Sequence, residues 1–320
     1  MRTVILRLRS YGVWKLSVSV LRWFWVMILR RLDVKYVERK VHGYRLILDL
    51  NDDGLSKQLL KYGTRELDHK YILDTHVRPG SLIVDIGANI GYYAIMESML
   101  VGARGHIVAV EPSPSNVDLL KKNIDRNGVG NISVIPGAIS STTGTKEFYL
   151  SNESNLNTFH NYGTVVKHLS GRSIDVPTYT VSDLLKDVHT RIGGRNLDFI
   201  RMDVEGHEVD VLNGMLPEIR RREMRPSIIF ETHLSRYGAD NDMADVLNQM
   251  FSNGYYVKVA ASSWQAGTKI IEQMGYSASR KIATDGVIRS MFENISSIDA
   301  LRLICEVGGI RTVLLATDAQ

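Results

Sequence analysis

The chain has 320 residues, of which 44% are hydrophobic and 23% are charged. This balance is typical of a globular protein with a large core, and it excludes a disordered tail, a collagen-like fibre and a disulfide-stapled miniprotein. The single cysteine, Cys305, cannot form an internal disulfide, so a reducing compartment such as the cytoplasm is favoured. Residues 1–40 carry a net charge of +8 and the remaining 280 residues carry −4. This asymmetry argues against nucleic acid as a partner and predicts that a basic arm meets an anionic surface.

The first 34 residues are predicted to form a basic, amphipathic helix, separate from the body. Residues 13–32 are rich in apolar residues, Trp and Arg. A helix needs about 20 mostly apolar residues to span a bilayer, and Arg22 would then lie near the centre at a cost of roughly 2.5–3.5 kcal/mol. A helix lying in the membrane interface avoids this cost, with its Trp side chains at headgroup level. A membrane-spanning helix and a helix docked on the protein or on a partner remain alternatives. A cleaved signal peptide is disfavoured, because no small-residue cleavage site follows the apolar stretch.

Residues 35–320 are predicted to form one α/β domain. Tyr36–Val41 and Tyr44–Leu50 predict a hairpin, and apolar spacing over residues 55–77 predicts a helix. From residue 81 onwards, apolar strands alternate with helices, which predicts a doubly wound, mostly parallel sheet covered on both faces. The predicted strands are Ser81–Ile86, His106–Glu111, Ile132–Pro136, Leu197–Asp203, Pro226–Glu231, Tyr255–Val259 and Arg311–Ala316. The predicted regions are a cofactor half at 81–140, an insertion with a hairpin at 139–180 and a catalytic edge at 197–235.

The loop after the first of these strands is the first candidate binding site, because ligands of open α/β sheets bind at the carboxyl ends of the strands. Gly87 and Gly91 allow a tight turn and a close approach of the backbone to a ligand. Asp85 would accept a hydrogen bond from an ammonium group but repel a phosphate, and the third glycine of a dinucleotide-binding loop is missing. Glu111 ends the second strand, where its carboxylate can accept both hydroxyls of a ribose. An amino acid and a ribose in one ligand describe S-adenosylmethionine.

Two further positions complete the predicted cofactor set. Asn89 lies between the two glycines of the loop. Ala138 follows the third strand, where a small residue allows an adenine ring to approach closely. Asn116 opens the helix after Glu111, and its position suits a role near the helix cap as well as it suits a contact with adenosine.

The fourth strand runs into the sequence Asp203-Val204-Glu205-Gly206. Asp203 and Glu205 can stabilise a sulfonium cation, accept a hydrogen bond from a methyl acceptor or hold a metal ion. A charge at a buried strand end needs a partner, which favours a functional role for Asp203. Glu208 is instead expected to complement the dipole at the N-terminus of the following helix.

The fifth strand ends at Glu231, followed by His233, and both are expected to face the same edge of the sheet as Asp203. Methylation of a hydroxyl requires removal of its proton, and the ordinary pKa of histidine suits a general base. His233 is therefore a candidate general base, and His207 is the alternative. The spacing of these acidic and histidine residues matches no strict metal-binding pattern, so no metal is predicted.

Four motifs resemble the FkbM family of S-adenosylmethionine-dependent methyltransferases. They are VDIGANIGYYAI at 84–95, VEPSP at 110–114, IRMDVEGHEVDVL at 200–212 and IIFETH at 228–233. The resemblance implies a seven-stranded, Rossmann-like methyltransferase sheet whose last strand pair is reversed, and O-methylation, often of sugar or secondary-metabolite hydroxyls. It also implies that Asp203 and Glu205 are the family's D-x-E-G carboxylates. His207 departs from the family, which usually has a small residue there.

The sequence therefore predicts an S-adenosylmethionine-dependent methyltransferase at the cytoplasmic face of a membrane, acting on a hydroxyl of a sugar, glycolipid or small metabolite. N-methylation is an alternative on the same fold. The missing third glycine argues against a dinucleotide oxidoreductase, and a cofactor-binding module without turnover is the non-enzymatic alternative. The insertion, the arm and residues 265–320 are expected to shape the acceptor site.

Overall fold

A computed structural model describes residue 22, residues 24–160 and residues 169–318. Residues 22 and 24–31 are helical, and the rest of the predicted N-terminal helix lies outside the described residues. In the described part of the chain, no helix combines the length and the apolar character needed to cross a bilayer.

The domain alternates strands with helices along most of its length. The strands are β1 (Tyr36–Val41), β2 (Tyr44–Asp49), β3 (Leu82–Ile86), β4 (His106–Glu111), β5 (Ile132–Pro136), β6 (Ala138–Ile139), β7 (Gly144–Ser151), β8 (Leu169–Tyr179), β9 (Phe199–Met202), β10 (Ser227–Glu231), β11 (Tyr255–Ser262), β12 (Arg280–Thr284), β13 (Val287–Glu293) and β14 (Ile310–Thr317). The helices are α1 (Leu55–Tyr62), α2 (Leu67–His76), α3 (Tyr92–Val101), α4 (Pro114–Asn127), α5 (Val181–Asp187), α6 (His189–Ile192), α7 (Glu208–Arg220), α8 (Met243–Ser252), α9 (Gln265–Gln273) and α10 (Ser297–Leu301), with a 3-10 turn at Leu234–Arg236 and a π turn at Arg302–Glu306.

The main sheet has the strand order β12-β13-β11-β14-β10-β9-β3-β4-β5. Strands β10, β9, β3, β4 and β5 are parallel, and β14 runs antiparallel to both of its neighbours. This confirms the predicted α/β, doubly wound and mostly parallel sheet, in which the last strand, β14, is reversed between β10 and β11. The sheet has nine strands among the described residues rather than the expected seven, because the hairpin β12–β13 pairs with β11 and extends that edge.

The two faces of the sheet take alternate side chains of the same strand, because successive residues of a strand point to opposite faces. In β3, Val84 and Ile86 join the core beneath α7 and α8, whereas Ile83 joins the core beneath α3, α4 and the hairpin β1–β2. Asp85 falls on the same face as Ile83. This alternation decides where the charged residues near the strand ends can point.

The single helix expected over residues 55–77 is divided into α1 and α2. Gly63 ends α1 with φ 79°, and its N–H binds the carbonyl oxygen of Leu59. Glu66 precedes α2 with φ 49°. The two left-handed residues turn the chain sharply, and Glu66 is only 3% exposed after this turn. The apolar spacing did not reveal the break because it continues through both helices.

The predicted insertion contains a hairpin and a short parallel strand. Strand β7 pairs with β8 in antiparallel fashion, and β8 pairs with β6 in parallel fashion, so the three form a second sheet. This second sheet brings loop 152–157 to the carboxyl ends of the main strands, where Asn155 and Asn157 line the same cavity as Glu111.

Candidate functional site

The loop between β3 and α3 depends on two glycines. Gly87 has φ 79°, and a Cβ atom there would lie 2.4 Å from the backbone oxygen of Asp203. Gly91 has φ 91°, and a Cβ atom there would lie 2.7 Å from the Leu120 side chain. Both positions therefore need glycine for backbone conformation and for space. The loop consequently lies tightly between the end of β9 and helix α4.

Glu111 lies at the centre of a hydrogen-bond network at the end of β4. Its Oε1 accepts hydrogen bonds from the Ser113 N–H (3.0 Å) and the Asn116 amide (3.1 Å), and its Oε2 accepts one from the Asn89 N–H (2.9 Å). Burial raises the pKa of Glu111 to about 7, although these hydrogen bonds act to lower it. A carboxylate offers about four acceptor positions, so Glu111 retains capacity for a ligand hydroxyl.

A cavity opens beside Glu111 at the carboxyl ends of β3, β4 and β9. It has about 500 Å³ of free space counted out to the solvent. Phe148 and Phe159 line it, with ring centroids 4.9 Å apart. We call four expected cofactor residues that line the cavity the cofactor end: Gly87, Asn89, Glu111 and Ala138. A buried carboxylate beside apolar walls fits the ribose and the adenine of S-adenosylmethionine.

Asp85 does not line this cavity. Its side chain is fully buried, and its Oδ1 accepts a hydrogen bond from Arg201 Nη1 at 3.2 Å. Burial raises the pKa of Asp85, and Arg201 acts against this shift. The expected direct contact between Asp85 and an ammonium group is not supported by this geometry. The reason is the alternation of β3, which turns Asp85 towards α3 instead of towards the end of the strand.

Arg201 is the residue that sequence reasoning missed here. It lies directly opposite Asp85 in the register of β3 and β9. Its guanidinium also donates to the carbonyl oxygen of Gly87 and to Asp203 Oδ2, both at 3.2 Å, and lies over the Tyr93 ring at 4.2 Å. One buried cation therefore joins the β3 carboxylate, the glycine loop and the carboxylate at the end of β9. A charged residue inside an apolar strand was the available signal.

The four expected catalytic residues, Asp203, Glu205, Glu231 and His233, come together at the ends of β9 and β10, and we call them the acidic edge. His233 Nε2 lies 3.7 Å from Glu205 Oε2 and 3.8 Å from Glu231 Oε1. Asp203, Glu205 and His233 each offer one ligand atom within 4.8 Å of the others, a spacing that could hold a cation. The expectation that no metal binds here stays a prediction.

His233 is held by Glu208, whose role differs from the expected one. Glu208 is fully buried, and its Oε1 lies 3.0 Å from His233 Nδ1. Burial acts to lower the pKa of His233, but Glu208, Glu205 and Glu231 outweigh it and raise this pKa to about 10. His233 is therefore an imidazolium at neutral pH, which argues against the general-base role proposed from its ordinary pKa. Glu208 lies in the first turn of α7, as expected, but it is also the buried partner of the His233 imidazolium.

Two arginines from outside the predicted catalytic edge neutralise the acidic edge further. Arg236 Nη2 lies 2.6 Å from Glu205 Oε2, and Arg311 Nη1 lies 2.6 Å from Glu231 Oε1. Arg311 also lies 3.4 Å from Glu66, in the turn between α1 and α2. Burial raises the pKa of Glu231 to about 7 even with Arg311 beside it. Distant segments of the chain thus set the protonation of this edge.

His207, the alternative general base, lies on the aromatic side of the cavity. Its ring stacks on Phe159 with centroids 4.4 Å apart. Its Nδ1 lies 3.1 Å from Asp210 Oδ2, and its Nε2 lies 3.2 Å from Ser140 Oγ. These contacts give His207 a role in shaping the cavity wall rather than in the acidic edge.

Loop 152–157 closes one side of the cavity through Ser154. The N–H and the hydroxyl of Ser154 donate to the Asp52 carboxylate, both at 2.9 Å. The carbonyl oxygen of Ser154 accepts from the amides of Asn89 (3.0 Å) and Asn116 (3.3 Å). The same residue therefore ties the N-terminal part of the chain to the cofactor end.

Relatives of known sequence match the central part of the chain. Residues 85–257 match the family described as the methyltransferase FkbM domain. Methyltransferase sdnD of Sordaria araneosa is 26% identical over 194 residues, covering 52% of this chain and 71% of that protein. Protein-L-isoaspartate O-methyltransferase of Methanothrix thermoacetophila is 34% identical over 61 residues, covering 19% of this chain and 29% of that protein. The chain thus spans about three tenths of the length of this second relative.

Two solved structures of methyltransferases align with this chain at low TM-scores. A crystal structure of methyltransferase FkbM from Methylobacillus flagellatus KT aligns with a TM-score of 0.40 and 16% identity, covering 74% of this chain and 52% of that chain. The precorrin-6y C5,15-methyltransferase from Geobacter metallireducens GS-15 aligns with a TM-score of 0.39 and 12% identity, covering 79% and 88%. The fold assignment rests on the strand order and not on these scores.

Proposed function

The chain belongs to the FkbM family of methyltransferases, which use S-adenosylmethionine, and from this premise we propose that it methylates a hydroxyl of a sugar, glycolipid or small metabolite. The observation that carries the proposal is the cavity shared by the cofactor end and by Asp203 and Glu205. When bound, S-adenosylmethionine supplies a methyl group on a positively charged sulfur. The residues of the chain then provide orientation, electrostatics and a place for the proton.

Gly87, Asn89, Glu111 and Ala138 are the proposed cofactor contacts. Glu111 binds the ribose hydroxyls, Gly87 lets the backbone approach, and Ala138 leaves room for the adenine. Gly91 acts by shaping the loop. Asp85 takes the role of a positioning residue, because it acts through Arg201 on the loop and on Asp203.

Asp203 and Glu205 are the proposed residues beside the reacting atoms. Both line the cavity and remain partly accessible, with side chains 19% and 14% exposed. Preorganised carboxylates in a site of low dielectric favour positive charge and can hold an acceptor hydroxyl by a hydrogen bond. Arg201 and Arg236 fix these two carboxylates, so little reorganisation is needed during the reaction.

Glu231 is the proposed proton acceptor, and His233 supports it as a cation. A carboxylate with a pKa near 7 is half ionised at neutral pH, which suits general-base catalysis. The His233 imidazolium lies 3.8 Å from Glu231 and favours negative charge on the deprotonated acceptor. The carboxylates and arginines of this region offer both acceptors and donors, which suits a polyhydroxyl acceptor.

The proposal is tested by incubating the protein with methyl-labelled cofactor and separated lipid, glycan and small-molecule fractions. We expect label in hydroxyl-bearing compounds and a rate lower by about 100-fold in Asp203→Asn. Asp240→Asn is the matched control, because Asp240 is exposed. Label on an amine would favour N-methylation. Cofactor binding in calorimetry without label in any fraction would instead favour a binding module without turnover.

We also propose that the protein acts at the cytoplasmic face of a membrane, which it contacts through its basic arm. The support is the charge of +8 over residues 1–40, against −4 for the rest of the chain. Anionic lipid attracts such a segment by about 1 kcal/mol for each basic residue near the surface.

A further inference from the structure

The helix formed by residues 22 and 24–31 presents an apolar surface to the solvent. We call Trp25, Met27, Ile28 and Leu32 its outward face; they are 50%, 38%, 58% and 67% exposed. They make up four of the eleven large hydrophobic side chains that are exposed in the described part of the chain. A concentration of this kind marks a surface that meets a partner.

The opposite side of this helix is fixed to the body. Val26 and Leu29 pack against the core that contains the hairpin β1–β2. Arg30 donates to the carbonyl oxygen of Leu50 and lies 3.4 Å from Asp53. At about 100° per residue, the outward face spans an arc of about 160°, and Val26, Leu29 and Arg30 occupy the rest. The helix cannot turn its outward face towards the body without losing these contacts. The outward face is therefore exposed when the rest of the helix is packed in place.

We propose that the outward face docks on an anionic lipid bilayer. Arg31 is exposed within the face, and exposed Arg22 flanks it. Beyond the helix, the ammonium groups of Lys35 and Lys122 lie 5.1 and 5.0 Å from the ring centroid of Tyr36, which is 38% exposed. A bilayer surface accepts Trp and aliphatic side chains at headgroup level and offers negative charge to the cations.

Charge complementarity selects the bilayer over a second copy of the chain. Two outward faces pressed together about a twofold axis would bring the same basic residues, Arg22 and Arg31, towards each other. Like charges across an interface oppose association. The acidic body, in turn, is repelled by anionic lipid, so only the helix side is drawn to the surface.

The docking side adjoins a groove that lies next to the cavity. Lys35 and Asp52 line this groove together with Ser154, and Ser154 also lines the cavity. Docking would therefore present the rim of the cavity to molecules carried by the bilayer. In this respect the inference rests on the proposed function, because it favours a glycolipid over a free sugar as the acceptor.

The test is co-sedimentation of the full chain with vesicles of phosphatidylcholine alone or mixed with phosphatidylglycerol. We expect binding to the mixed vesicles that weakens at high salt, and a loss of binding of at least about tenfold in Trp25→Glu/Ile28→Glu/Leu32→Glu. The matched control is Trp264→Glu/Ile298→Glu/Val307→Glu, which adds the same charge at exposed apolar residues of the body. Cofactor binding in calorimetry shows that each variant is folded.

An equal loss of vesicle binding in both triple variants would overturn the proposal. Equal binding of the unchanged protein to neutral and anionic vesicles would also overturn it. A dimer in light scattering that only the helix variant dissociates would show that the face binds a second copy instead. Binding that appears only after removal of residues 1–21 would show that the chain covers its own face. Vesicle binding needs neither cofactor nor acceptor, so its failure is separate from a failure of methyl transfer.

Discussion

The cofactor end and two members of the acidic edge, Asp203 and Glu205, border the same cavity, but the two regions are built differently. At the cofactor end, Glu111 is held by hydrogen bonds from Asn89, Ser113 and Asn116, all within a short stretch of chain. At the acidic edge, the carboxylates are held by cations from several distant segments, Arg201, His233, Arg236 and Arg311. Glu111 is held by neutral hydrogen bonds, whereas the carboxylates of the acidic edge are held by a balance of charges.

This difference has a consequence for how each region responds to change. Neutral hydrogen bonds to backbone and amides keep Glu111 in place in either protonation state. The acidic edge depends on the charge balance of its members, so losing one cation changes the pKa of the others. Substitutions that act on the link between the two regions should therefore have the largest effects, and those at the cavity rim the smallest.

Replacing Arg201 should have the largest effect on stability, because Arg201 contacts both regions. Arg201→Met leaves Asp85 buried without its cation and frees Asp203, so we expect a loss of about 3–5 kcal/mol in the free energy of unfolding. Urea denaturation measures it. Arg221→Met is the matched control, because Arg221 pairs with Glu218 and Glu223 at the surface, and a loss below about 1 kcal/mol is expected there. Similar losses in both variants would contradict the assigned role.

The tight fit of the cofactor end is tested by paired glycine substitutions. Gly87→Ala and Gly80→Ala both place alanine at positive φ, 79° and 89°, but only the first meets an atom, the Asp203 oxygen at 2.4 Å. Both should lose about 1–2 kcal/mol from the backbone, and Gly87→Ala should lose a further 1–3 kcal/mol or so from overpacking. Thermal unfolding and cofactor calorimetry measure the difference. Equal stability and affinity in the two variants would show that close approach at Gly87 is unimportant.

The pH dependence of kcat distinguishes the two candidate proton acceptors. Glu231, with a raised pKa of about 7, is protonated and inactive as a base below that pH, so kcat should fall about tenfold per pH unit below 7 and level off above it. If neutral His233 were the base, kcat would rise until about pH 10. Saturating cofactor keeps the titration of Glu111 out of the profile.

Glu231→Gln sharpens this result. It should remove the acidic limb near pH 7 and lower kcat by about 100-fold or more. Glu223→Gln is the control, because Glu223 is an exposed surface residue. If kcat of the variant still falls below pH 7 as in the wild type, Glu231 is not the acceptor of the proton.

The smallest expected effect is at the rim, where loop 152–157 rests on Gly54. A Cβ atom at Gly54 would lie 2.1 Å from Asn155 Oδ1, a flexible side-chain atom, and 3.0 Å from the Ser154 nitrogen. Gly54→Ala should therefore weaken cofactor binding only a few-fold, about 1 kcal/mol, and Gly54→Ala/Asn155→Ala should restore part of it. Gly144→Ala, with open space around it, is the control. Isothermal calorimetry of all three decides whether the loop influences the cavity.

The sheet and the convergence of the acidic edge could be predicted because each depends on a pattern within one segment. Apolar strands separated by helices indicated the parallel order, and residues at the carboxyl ends of β9 and β10 necessarily meet. Strand β12 lacked this signal because its residues are mostly polar and exposed. Strand β13 contains buried apolar residues, but no helix separates it from β12, so it falls outside the alternation of strands and helices.

What the sequence could not indicate was the partner of each charge. From the sequence, Asp85 was expected to contact a ligand and Glu208 to complement a helix dipole. Their partners Arg201 and His233 come close to them only in the folded structure. The raised pKa of His233 follows from three carboxylates, Glu208 in α7, Glu231 in β10 and Glu205 in the turn before α7, which reversed its expected protonation. Such assignments need the register and the packing, which a single segment does not contain.

The cross-strand match of Asp85 with Arg201 also bears on how the central strands find their alignment. Sliding β9 by one residue along β3 would present an aliphatic side chain to Asp85 and send the guanidinium to the opposite, aliphatic layer. Each misaligned state would bury two unneutralised charges at a cost of several kcal/mol. The pair therefore favours the native register of β3 and β9 over registers that are shifted by one residue.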